Sequence, residues 1–127
     1  MASEGLHEAS DLLDEATVDR HRALISLREE LEAIDWYDQR VAATNDPELA
    51  AVLAHNRDEE KEHAAMTLEW LRRHDPVLDK HLRTYLFTTT PVTEIEAAAE
   101  AGSGSDDLAT PGSAGSFGIG GLKGESL

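Results

Sequence analysis

The chain has 127 residues, 26 acidic and 11 basic, giving a net charge of −15, and no segment of it is a basic stripe, which argues against nucleic acid as a partner. It contains no cysteine, so disulfides and thiolate metal sites are excluded and only oxygen and imidazole ligands remain. No run approaches ~18 apolar residues and no basic-then-apolar leader is present, so the expectation is a cytoplasmic protein with no membrane segment.

Ser10 or Asp14 can cap a first helix that continues through Val18, Leu24, Ile25, Leu31 and Trp36 until Thr44, Asn45, Asp46 and Pro47 break it. Asp46 then caps a second helix with Pro47 at its first position, running through Leu49, Val52, Leu53 and Met66 to about Arg73. The same punctuation, His74, Asp75 and Pro76, starts a shorter helix from Val77 to about Phe87. Short connections make the two long helices an antiparallel hairpin. The last forty residues hold eight of the nine glycines and few large apolar residues, so only the first part can pack. Two long helices and a short third have no second layer to cover their apolar stripes, and an obligate oligomer is the expected remedy.

At ~100° per residue, Ala23, Leu27, Glu30, Ile34, Tyr37 and Val41 share one stripe of the first helix, so Glu30 occupies a place where an apolar residue is expected. On the second helix the same projection collects Leu49, Val52, Leu53, Asn56, Glu60, His63, Thr67, Trp70 and Leu71, and sends Arg57, Asp58, Lys61 and Glu62 away. Glu60 and His63 form a Glu-x-x-His element, whose two side chains can reach one metal ion from the same side of a helix. Ionisable groups on facing core stripes require compensating positive charge, which a bound cation supplies. The alternative is that Glu60 and His63 hydrogen-bond each other or a buried water.

A carboxylate-bridged pair of irons uses a Glu from each of two helices and a Glu-x-x-His from each of two more. This hairpin carries one of each. A two-fold homodimer completes the set, with Glu30, Glu60 and His63 from both chains around two metals at the dimer axis, and metal binding is then coupled to dimerisation. Manganese or zinc is compatible with the same ligand types.

The segments Leu31 to Tyr37, His55 to Ala64 and Leu82 to Phe87 together resemble the encapsulated ferritins of bacteria, over about residues 7 to 90. The resemblance implies an all-α fold: an antiparallel two-helix hairpin plus a short third helix, becoming a ferritin-like four-helix bundle only on homodimerisation, with a disordered C-terminal tail. It divides the chain into a half-ferritin domain (1–90), a flexible linker (91–115) and an encapsulation-targeting peptide (116–123). It implies a ferroxidase whose di-iron centre is held by Glu30, Glu60 and His63 across the dimer interface, with Tyr37 close by. Glu29 and Glu32 match an entry-side site for iron, calcium or another divalent cation. Dimers of this family associate into an annular decamer, and Val18, Ile25 and Trp36, on the face that carries Glu29 and Glu32, suit such a second interface.

From Thr93 onward Ala, Gly, Ser, Glu and Asp dominate, the composition of a linker. Phe117, Ile119 and Leu122 then stand among glycines, the construction of a short docking peptide. By resemblance this peptide tethers the chain to the inner wall of an encapsulin nanocompartment, where the oxidised iron is mineralised. Two other functions remain open at this level: a non-catalytic, metal-stabilised cargo or interaction protein, and an oxygen-binding di-iron protein of hemerythrin type. The latter is suggested only by His55 and Glu59 and lacks the further histidine pairs such a site needs.

Overall fold

A computed structural model describes residues 5–109, and within them the chain is helical, without strands. It divides after His74 into two units, Met1–His74 and Asp75–Leu127.

The first unit is the predicted hairpin. A short 3-10 turn, Ser10–Leu12, precedes α1, Glu15–Ala43, and three residues then lead into α2, Pro47–Arg73. Of the two candidate caps, Asp14 starts α1, its carboxylate accepting from the Thr17 amide at 2.8 Å, while Ser10 begins the 3-10 turn. Asp46 accepts from the Glu48 and Leu49 amides and Pro47 takes the first helical position, where its missing N–H costs nothing. The helices are antiparallel: Asp38, near the connection, pairs with Arg57 at 2.9 Å, and Glu30, farther from it, meets Thr67.

The seam between α1 and α2 is narrow. Ala64 (8% exposed) and Leu71 (2% exposed) are the fully buried residues among those described, and they stand seven apart, two turns along one face of α2. Leu24, Leu31, Leu49, Val52 and Met66 remain exposed. This corrects the projected stripe of α2 in two ways. Leu49, Val52 and His63 lie on an open flank, because two helices in contact cover only a slim arc of each surface and Ala64, ~100° round from His63, holds that arc. Arg57, expected to point away, lies along the seam edge, where its guanidinium bridges Asp38 and Asp58.

Near the end of α2, Arg72 and Arg73 hydrogen-bond the Glu69 carboxylate and hold it down from an ordinary 4.5 to about 2. A lowered carboxylate contributes stability that is complete above its ordinary range and is lost as pH falls towards 2. An acid titration of helix content should therefore show a flatter limb between pH 4.5 and 2 in Glu69→Gln than in the parent chain.

The second unit begins with Asp75, whose side chain accepts from the Leu78 amide, and α3, Pro76–Tyr85. Phe87 follows with a positive φ of 63° and is almost fully exposed. The linker expected over 91–115 is helical from Val92 to Ala109, forming α4. The Pro91 carbonyl accepts the first bonds from Glu94 and Ile95, and the alanines and glutamates from Glu94 to Ala101 have high intrinsic helix propensity, which outweighs their lack of apolar surface. The targeting peptide with Phe117, Ile119 and Leu122 lies outside the described residues.

Candidate metal centre

Glu30 sits midway along α1 on the face turned to α2, and it is partly buried. Its Oε2 accepts a long hydrogen bond, 3.4 Å, from the Thr67 hydroxyl across the hairpin. Its Oε1 is closed off from solvent and has no hydrogen-bond partner. Leaving a buried carboxylate oxygen bare costs about 1–3 kcal/mol or more, so this atom is short of a positive partner.

Glu60 and His63 follow on α2, one turn apart. Glu60 Oε1 and His63 Nδ1 are separated by 3.7 Å, with 28% and 49% of their side chains exposed. That distance is too long for a hydrogen bond, so the two do not satisfy each other. Glu60 is nearer the seam, and His63 opens onto the flank that bears Leu49, Val52 and Met66.

The antiparallel register separates these groups along the bundle. Thr67 marks the level of Glu30 on α2, and Glu60 lies two turns before it, about 10 Å along the axis. One hairpin therefore does not close Glu30, Glu60 and His63 about one ion, and among the described residues no three carboxylates or imidazoles are gathered into a metal cluster.

Tyr37 is partly buried on the same face of α1 as Glu30, two turns beyond it. The Arg40 guanidinium carbon lies 5.6 Å from its ring centroid and 6.0 Å from that of Trp36, so one cation bridges the two aromatic rings. Glu29, Glu32 and Trp36 are exposed together on the other face of α1, with Ile25 partly covered.

Sequence projection located Glu30, Glu60, Tyr37 and Thr67 on partly buried faces but missed Ala64 and Arg57. Ala64 carried a usable signal, since Arg57, Ala64 and Leu71 repeat every seven residues, but alanine and arginine do not read as core. No helix of the described residues is long and apolar enough to cross a membrane.

Residues 5–89 match the model of a family described as EncFtn-like. An encapsulated ferritin-like protein of Rhodospirillum rubrum is 63% identical, over 98% of this chain and 92% of its own. A ferritin-like protein of Thermotoga maritima is 56% identical over 76% of this chain and 85% of its own. An encapsulin nanocompartment cargo protein, EncC, of Myxococcus xanthus is 37% identical over 46% of this chain and 45% of its own. The crystal structure of protein ne0167 from Nitrosomonas europaea superposes with a TM-score of 0.68 at 63% identity, covering 70% of this chain and 98% of that one. With the helix hairpin, the Glu-x-x-His pair and the facing Glu30 in place, the match over residues 5–89 makes this chain a member of the encapsulated ferritin-like, or EncFtn-like, family.

Proposed function

We propose that the chain is a ferroxidase that takes Fe(II) as substrate at a centre shared by two copies, through Glu30, Glu60 and His63 of each. The observation that carries this reading is the bare, enclosed Oε1 of Glu30 on a helix packed against the one that bears the partly exposed Glu-x-x-His pair. Two carboxylates and one imidazole per iron are hard and borderline donors that suit ferrous and ferric ions alike. Each ferrous ion gives up one electron. A neighbouring pair supplies the two electrons that convert dioxygen and two protons to hydrogen peroxide, or hydrogen peroxide and two protons to water. Holding both ions in one site turns an encounter of three bodies into a local event.

The same facts support a second copy. A lone hairpin with two fully buried residues among those described has little core of its own, and Leu24, Leu31, Leu49, Val52 and Met66 offer apolar surface for a partner. In the dimer each His63 flank faces the other chain, which brings the missing ligands. Glu29 and Glu32, beside exposed Trp36, serve as an entry site for ferrous ions or calcium at the junction between dimers in an annular decamer. The segment bearing Phe117, Ile119 and Leu122 docks the assembly inside an encapsulin shell, as the names of the Rhodospirillum and Myxococcus relatives suggest, and the shell receives the ferric product.

Native mass measurement with and without Fe(II), run beside an oxidation assay, tests the reading. The expected result is an Fe(II)-dependent rise in the fraction of even-numbered oligomers, with oxidation confined to them. Metal-induced assembly without oxidation would leave the non-catalytic cargo reading instead.

A further inference from the structure

We propose that Thr67 is a positioning residue for Glu30, anchoring Oε2 so that Oε1 is the oxygen a divalent cation must satisfy. The inference rests on the metal-binding reading above and assigns a role to a residue outside the Glu-x-x-His pair. Thr67 lies on α2 one turn beyond His63, and its hydroxyl is the hydrogen-bond donor to Glu30 across the hairpin. At 3.4 Å this is a long hydrogen bond, and it is the contact that tells the two carboxylate oxygens apart. The last torsion of a glutamate side chain is soft, so a carboxylate without an anchor presents either oxygen and spreads over many angles. Both carboxylate oxygens turn together about that torsion, so tying Oε2 to α2 fixes Oε1 as well, and Oε1, enclosed and bare in the lone chain, is the oxygen left for a cation. The hydroxyl also forms a link between the Glu30 level and the His63 turn, groups that the register otherwise sets apart.

Threonine and valine have the same shape and similar helix propensity, so Thr67→Val removes the hydroxyl with little disturbance of the hairpin, and Thr67→Ser keeps it. The full-length chain is titrated with Co(II) alone, followed by visible d–d absorbance, in four forms: unaltered, Glu30→Ala, Thr67→Val and Thr67→Ser. The expected result is Co(II) binding by the unaltered chain, its loss in Glu30→Ala, roughly five- to tenfold weaker binding with an altered spectrum in Thr67→Val, and recovery to within about twofold in Thr67→Ser. Thr67→Val binding as tightly as the unaltered chain, while Glu30→Ala fails, overturns the role of Thr67 and leaves the metal site standing. Weakened binding in both Thr67 variants overturns it too, since the hydroxyl is then not the operative group. Equal binding by the unaltered chain and Glu30→Ala, or no binding by either, removes the site itself and the proposal with it.

Discussion

Replacing Glu60 with alanine is expected to slow Fe(II) oxidation at least about 100-fold, because even groups that only support a ligand change metal affinity or activity by 10–100-fold and Glu60 is proposed as a ligand itself. His63→Ala and Glu30→Ala are expected to fall as far. These losses are separable from misfolding. Glu60 and His63 are 28% and 49% exposed, so truncating them removes little packing. Glu62, two residues away and exposed, is the control: Glu62→Ala should oxidise Fe(II) within about twofold of the parent, as expected of a solvated surface charge. The Glu30 position makes a further, opposite-signed demand. Its Oε1 is buried without a partner, so Glu30→Met, which fills the same space without charge, should raise the metal-free melting temperature while abolishing oxidation. Stopped-flow absorbance of the ferric product and a metal-free thermal melt read the two effects. Oxidation by Glu60→Ala at the parent rate would end the assignment of the centre.

Leu71→Ala is expected to cost roughly 3 kcal/mol, the usual scale for truncating a fully buried leucine. The number is large here because the hairpin has so little else. Leu71 is 2% exposed, Ala64 already has the smallest side chain that can make a contact, and no residue of α1 is fully buried. Against a typical total of about 5–15 kcal/mol, that loss removes roughly a fifth to three-fifths of the stability unless assembly is driven by concentration or by metal. Denaturation followed by circular dichroism at two protein concentrations measures it. Phe87→Ala, at a residue 87% exposed, should shift the same midpoint by no more than about 0.5 kcal/mol. A Leu71→Ala chain as stable as the parent would show that the seam is not where the hairpin is held.

The helix ends were legible because their cause is local. Asp14, Asp46 and Asp75 each cap the amides of the next turn, and Pro47 and Pro76 take first positions in which proline is at no disadvantage. The exception is α4. Composition weighed the scarcity of apolar residues, whereas the alanine and glutamate run after Pro91 carries its own backbone preference for a helix. Glu30 was legible as a charge inside an apolar repeat, and Glu60 with His63 by their spacing. The half-exposed position of His63 was not, because a stripe drawn on one helix does not say which part of its arc the neighbouring helix will cover.

Residue order alone therefore determined which helices form, where they stop, and which side chains are capable of holding a metal, since each of these depends on neighbours within one or two turns. Tertiary structure decided the rest. Ala64 takes the seam in preference to Leu49 and Val52, Arg57 closes on Asp38, and Glu30 meets Thr67 about 10 Å along the axis from Glu60, all through the register in which α1 lies on α2. That register is a property of two surfaces packed together, set by the sum of their contacts, and no stretch of either helix contains it by itself.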